Sequence, residues 1–150
     1  MVTSDDLKHY AVSDEGLVSM KLEGNPTVLI VDDEELMREV TSIMIEENGG
    51  KVLTAVDGID AVEVFAENRD KIDLVFMDVS MPRMNGYEAF LEIQKLDPSV
   101  AVLIVSGLRM TPEVEALHKS GQIDFLSKPF HEIELIKALK KVQEKKARGK

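Results

Sequence analysis

The sequence predicts an α/β protein built on a doubly wound, five-stranded parallel sheet, and three observations carry that prediction. Five short apolar runs recur with starts 24, 22, 27 and 24 residues apart. Apolar residues at helical spacing fill the gaps between them. Two of the runs are apolar nearly throughout, as strands buried on both faces must be. Strand and helix in strict alternation give a parallel sheet with helices on both sides.

The first strand is expected over Thr27–Val31 (TVLIV). A helix follows, with Leu36, Val40, Ile43 and Met44 at three-to-four spacing, and Asn48-Gly49-Gly50 as its stop. The second strand is Lys51–Val56, and the next helix carries the stripe Ile59, Val62 and Ala66. Asp73–Met77 is the third strand, followed by a helix with Tyr87, Phe90, Leu91 and Ile93 that ends near Asp97-Pro98. Val100–Val105 is the fourth; Pro112 then stands where a helix would begin, and Gly121 where it would stop. Asp124–Leu126 is the fifth strand, and Ile133, Ile136, Leu139 and Val142 mark the last helix. Residues 1–24 lie outside this plan and are expected to be a mobile tail or a small hairpin about Asp14-Glu15-Gly16.

Composition narrows the function classes. The chain has 150 residues, enough for one domain with its own core. Its formal charge is −10, which disfavours a dedicated binder of nucleic acid or anionic membrane, because phosphates repel it. That average hides an asymmetry. From Lys137 onward there are seven basic residues and one acidic, while the rest of the chain carries −16. The basic end reads as a solvated helix face. There is no cysteine, so disulfides and thiolate chemistry are excluded. The longest fully apolar run, Val100–Val105, is too short to span a bilayer, and Asp5 and Asp6 stand where a signal peptide needs basic residues. A cytoplasmic protein is the expectation.

Open α/β sheets bind ligands beyond the C-terminal ends of their strands, where strand order reverses. Asp32, Asp33 and Glu34 follow the first strand, Asp78 the third, Ser106 and Gly107 the fourth, and Ser127, Lys128 and Pro129 the fifth. Only Asp57-Gly58, an ordinary turn, follows the second. Each residue has a plainer role: Asp32 or Asp33 as a helix cap, Asp78 as a turn residue, Ser106 as a cap, Lys128 as a solvated lysine. Together they would bring three carboxylates, a hydroxyl and an ammonium to one edge. Clustered carboxylates repel unless a cation lies between them. An all-oxygen acidic site suits Mg²⁺. Metal, lysine and hydroxyl around one aspartate make a phosphoryl-transfer site with Asp as nucleophile. The three histidines, His9, His118 and His131, match no metal spacing and are read as surface residues.

These motifs resemble the response-regulator receiver domain of two-component signalling, from Pro26 to about Lys145. VLIVDDEE (Val28–Glu35) is similar to the acidic pair after the first strand. LVFMDVSMPRMNGYE (Leu74–Glu88) is similar to the phospho-acceptor strand and its loop. VLIVSG (Val102–Gly107) is similar to the switch Ser/Thr strand, and DFLSKPF (Asp124–Phe130) to the lysine strand with its cis-proline. The resemblance implies a flavodoxin-like (βα)5 fold of strand order 2-1-3-4-5, with the receiver over 25–146, an N-terminal extension over 1–24 and a basic tail over 147–150. It implies that Asp78 accepts the phosphoryl group from a sensor histidine kinase or a phosphotransfer protein. It implies that Asp33, Asp78 and the Ser80 backbone carbonyl bind Mg²⁺, with Asp32 acting through water. It further implies that Lys128 pairs with phosphoryl oxygens, that Ser106 and Phe125 are the switch pair, and that Gly107 leaves room for the donor. The fourth helix, fifth strand and fifth helix form the implied output face, which is also the candidate surface for a homodimer. No catalysis beyond self-phosphorylation and self-dephosphorylation is expected. The chain is read as a stand-alone regulator or as the receiver piece of a longer protein.

Two rival readings differ in specific residues. A Mg²⁺-dependent phosphohydrolase with an aspartyl-phosphate intermediate usually carries a second Asp two residues after the nucleophile, where this chain has Ser80. A pseudo-receiver that takes no phosphate would not need Asp32, Asp33, Asp78, Ser106 and Lys128 all intact. Gln122, where relatives usually have Ala, is a mild departure from the family pattern.

Overall fold

The computed structural model describes residues 21–79, 81 and 84–148. Ser80 and most of the N-terminal extension, with the expected hairpin, lie outside those residues. Among the described residues, five strands alternate with five helices: β1 (Thr27–Val31), α1 (Glu35–Glu47), β2 (Lys51–Ala55), α2 (Gly58–Glu67), β3 (Leu74–Asp78), α3 (Gly86–Leu96), β4 (Val102–Ser106), α4 (Pro112–Lys119), β5 (Asp124–Ser127) and α5 (Glu132–Arg148). The strands form one sheet in the order β2-β1-β3-β4-β5, and every pairing is parallel. The sequence-based boundaries are met within two residues at every strand.

Alternation along the strands divides the core into two layers. Leu29 and Val31 of β1, Val75 and Met77 of β3, and Val102 and Ile104 of β4 pack with Ala61 and Phe65 of α2, Phe90 and Ile93 of α3 and Val114 of α4. Their neighbours Val28, Ile30, Leu74, Phe76, Leu103 and Val105 face the other way, onto Ile45 of α1 and Leu135, Ile136 and Leu139 of α5. This is the period-two geometry of a pleated strand covered on both sides. All five residues of β3 and of β4 are buried, whereas the edge strand β2 keeps only Ala55 buried. Burying each large aliphatic or aromatic side chain stabilises the fold by about 1.5–3 kcal/mol, so the central strands carry much of the core.

The helix ends follow local sequence chemistry. Asn85 and Glu88 close a capping box on α3. Asp57 caps α2 by accepting the Asp60 amide at 2.8 Å, and Thr111 caps α4 by accepting the Val114 amide at 3.2 Å, with Pro112 following it. Gly49, at φ 93°, ends α1 in the left-handed region that glycine tolerates best. The basic end stays helical to Arg148. Lys145 and Lys141 reach Asp124 at 3.2 and 3.8 Å, which ties the start of β5 to α5.

Residues 21–24, which the sequence pattern leaves outside the domain, lie on it. Leu22 is buried among the residues of the α1–α5 layer. Its amide donates to the Asn48 carbonyl at 2.9 Å. Lys140 donates to the Lys21 carbonyl at 3.0 Å, and Gln143 to the Glu23 carbonyl at 2.9 Å. Among the described residues, no helix is long and apolar enough to cross a membrane.

Candidate functional site

Strand order reverses between β1 and β3, and register decides what meets there. Val31 pairs with Met77, so Asp32 and Asp78 follow as neighbours at the C-terminal edge. Asp78 is in register with Val105, and Ser106 with Ser127. The next residue of each pair of chain ends is therefore brought to the same edge without any further device.

Carboxylate oxygens of Asp32, Asp33 and Asp78 lie within 4.8 Å of one another. Asp32 is fully buried, Asp78 is 5% exposed, and Asp33 is open to solvent. The Lys128 ammonium stands 3.5 Å from Oδ2 of Asp32 and 3.7 Å from Oδ1 of Asp78. One cation between two buried carboxylates offsets part of their repulsion. The other Asp32 oxygen accepts the Glu34 amide at 2.9 Å. Asp32 thus holds the residue that opens α1, while Glu34 itself makes no side-chain cap bond. The plainer capping role and the site role coexist in this residue.

An oxygen donor set of two buried carboxylates and one exposed carboxylate fits a hard divalent cation. Such an ion takes one or two carboxylates directly and keeps several waters, and exposed Asp33 leaves the open side that those waters need. The Ser80 carbonyl, expected as a further ligand, falls outside the described residues.

Ser106 is buried at the end of β4, and its hydroxyl oxygen accepts the Leu108 amide at 3.0 Å. That oxygen retains its own proton for donation. The Ser106 carbonyl in turn accepts the Lys128 amide at 2.9 Å, which joins the serine and lysine strands just above the sheet. The Lys128–Pro129 peptide is cis, as the resemblance implied. Gly107 is exposed, and a methyl placed on it would meet nothing closer than the Lys128 Cβ at 3.8 Å. Gly86, at the start of α3, is the opposite case. A Cβ there would come within 2.6 Å of the Asp78 carbonyl oxygen, so only glycine lets α3 start this close to the end of β3.

Phe125, in β5, is half-buried against the α2–α4 layer. Its ring centroid lies 6.4 Å from that of His118 in α4, at an interplanar angle of 47°. His118 is thus half-buried beside the expected switch aromatic rather than a plain surface residue. Sequence spacing could not pair them, because they belong to different elements. Arg38 was also missed: its Nη1 donates to the Asp32 carbonyl at 2.8 Å from one turn into α1. A separate concavity of about 380 Å³ lies at the opposite edge of the sheet, beside Ala101, Gln122, Asp124 and Lys145, and contains none of these groups.

Comparisons with known proteins agree with this geometry. The family model described as "Response regulator receiver domain" matches residues 28–140. The chain is 40% identical over 116 residues to the chemotaxis protein CheY of Thermotoga maritima, covering 77% of this chain and 95% of that one. A crystal structure of a response regulator receiver domain protein from Clostridium thermocellum superimposes with a TM-score of 0.77 at 29% identity, covering 83% of this chain and 99% of that one. CheY in the CheX–CheY–BeF3–Mg²⁺ complex from Borrelia burgdorferi does so with a TM-score of 0.73 at 27% identity, over 78% of this chain and 88% of that one. Sheet order, edge chemistry and family match converge: the chain belongs to the response regulator receiver domain family.

Proposed function

We propose that Asp78 is the phosphoryl acceptor of this receiver and that Asp32, Asp33 and Asp78 hold Mg²⁺ beside it. The observation that carries the reading is the convergence of those three carboxylates within 4.8 Å, with Lys128 3.7 Å from Asp78, at the point where strand order reverses. The Borrelia relative forms its complex with CheX, BeF3 and Mg²⁺, which supports the choice of metal.

Each residue then has a task that its environment suits. An Asp78 carboxylate oxygen attacks the phosphorus of a phosphohistidine on a sensor kinase or phosphotransfer protein. The O–P bond forms as the P–N bond breaks, and the bonding pair returns to the imidazole nitrogen. Lys128 places its positive charge against the equatorial phosphoryl oxygens, where charge accumulates during transfer. Mg²⁺ held by Asp32, Asp33 and Asp78 would supply further positive charge to offset what builds up during transfer. Gly107 keeps the approach open, and, as the family resemblance implies, the Ser80 carbonyl would serve as a further ligand to the metal.

The acyl phosphate adds charge at the edge of the sheet. Ser106 moves toward it and donates its hydroxyl proton, and Phe125 moves into the space the serine vacates. A local charge event thereby biases a two-state element, and the α4–β5–α5 face presents the result to a partner or to a second copy of the chain. Turnover is confined to gain and loss of this one phosphoryl group, in the cytoplasm.

The test is incubation of the full chain with Mg²⁺ and acetyl phosphate, followed by intact-mass measurement. One added phosphoryl group is expected on the wild type, none when EDTA replaces Mg²⁺, and none on Asp78→Asn. Absence of the adduct on the wild type, or rapid hydrolysis of many phosphate esters, would overturn the reading.

A further inference from the structure

Asp32 is held at each of its polar atoms. Its amide donates to the Ala55 carbonyl at 3.2 Å, one carboxylate oxygen accepts the Glu34 amide at 2.9 Å, and the other lies 3.5 Å from the Lys128 ammonium. The fourth contact comes from Arg38, whose Nη1 donates to the Asp32 carbonyl at 2.8 Å. That carbonyl lies beyond the last paired residue of β1, Val31. Arg38 is half-buried, and its own carbonyl accepts the Ser42 hydroxyl at 2.6 Å.

The consequence is geometric. The Asp32 carbonyl, the Asp33 amide and the Asp33 Cα share one rigid peptide plane. A donor that fixes the carbonyl direction therefore fixes the plane from which the Asp33 side chain departs. Asp33 is solvent-exposed, and its carboxylate would otherwise sample several directions around the edge. A guanidinium suits this task, because its planar fork is rigid and always charged.

We propose that Arg38 is a positioning residue of the divalent-cation site: by holding the Asp32 carbonyl it orients the Asp32–Asp33 peptide, so that both carboxylates face Asp78. The proposal rests on the reading of Asp32, Asp33 and Asp78 as a Mg²⁺ site. Groups that orient metal ligands from behind are worth about tenfold or more in metal affinity.

Calorimetric titration of the full chain with MgCl₂ tests it, alongside urea unfolding of the same variants in EDTA. Arg38→Met removes the donor and is expected to weaken Mg²⁺ binding about tenfold. Arg38→Lys, which keeps a cationic donor on a long stem, restores most of the affinity. Glu46→Gln, at the far end of α1, binds as the wild type does. Arg38→Gln, too short to reach the carbonyl, stands in if Arg38→Met does not hold its fold, and the same loss is expected of it. A purely structural role would lower the urea midpoint of Arg38→Met and leave the Mg²⁺ affinity of the folded protein unchanged; that result overturns the proposal. A wild type that takes no Mg²⁺ overturns the metal-site reading itself, and the proposal with it.

Discussion

Nζ of Lys128 lies 3.7 Å from Oδ1 of Asp78, and both groups are largely withdrawn from solvent. Removing the ammonium leaves Asp78 and Asp32 facing each other without that cation. We expect Lys128→Ala to lose about 1–3 kcal/mol of stability in EDTA, measured by urea unfolding. Millimolar Mg²⁺ is expected to restore part of that loss, because metal takes over the charge offset. Phosphorylation by acetyl phosphate falls at least about tenfold, as a lost electrostatic partner for the transferring group requires. A variant as stable and as reactive as the wild type would contradict the role given to Lys128.

Two glycines near the site predict opposite outcomes for the same change. Gly86→Ala pushes a methyl to 2.6 Å from the Asp78 carbonyl oxygen and 2.9 Å from the Val79 Cα, so it costs about 1–3 kcal/mol. Gly107→Ala meets only the Lys128 Cβ at 3.8 Å and stays within about 0.5 kcal/mol of the wild type. Chemical denaturation of the pair decides whether α3 is seated as tightly on β3 as described.

Under the proposed mechanism, Ser106 is expected to separate acceptance from signalling. Ser106→Ala removes the acceptor of the Leu108 amide, a loss of about 0.5–1.5 kcal/mol. Asp78 and Lys128 keep their places, so phosphoryl transfer persists. Amide shift changes across α4, β5 and α5 on phosphorylation, followed by NMR, are expected to shrink. Undiminished shifts at Phe125 and His118 would remove Ser106 from the switch.

Leu22 is 6% exposed and packs with the α1–α5 layer. Leu22→Ala is expected to cost about 2–3 kcal/mol in urea unfolding, as buried leucines do. Mg²⁺ affinity stays unchanged, because the contact lies on the Asn48–Gln143 side of the molecule. A neutral substitution would place the start of the folded unit at residue 25.

Much of this architecture is legible in the sequence for a physical reason. A strand covered on both faces must be apolar at nearly every position, so TVLIV and VAVLIV stand out as runs, and the residues just after each run are brought to one sheet edge. That logic reaches Asp32, Asp78, Ser106 and Lys128 together. Edge strand β2 is half polar, yet KVLTAV still stands out as a run at nearly the same interval as the others. The contacts that were missed join elements distant in the chain or reach across a turn: Leu22 on Asn48, His118 on Phe125, Arg38 on the Asp32 carbonyl. No local pattern encodes them, because each depends on how two finished elements meet.

One carboxylate, that of Asp78, is proposed to carry the phosphoryl group. Borohydride reduces an acyl phosphate on aspartate to homoserine and leaves free carboxylates untouched. Phosphorylation of the full chain with Mg²⁺ and acetyl phosphate, borohydride trapping and peptide sequencing by mass spectrometry will therefore mark the acceptor directly. Homoserine at position 78 alone is the predicted result; homoserine at 32 or 33, or a phosphorylated protein with none at 78, would contradict the account.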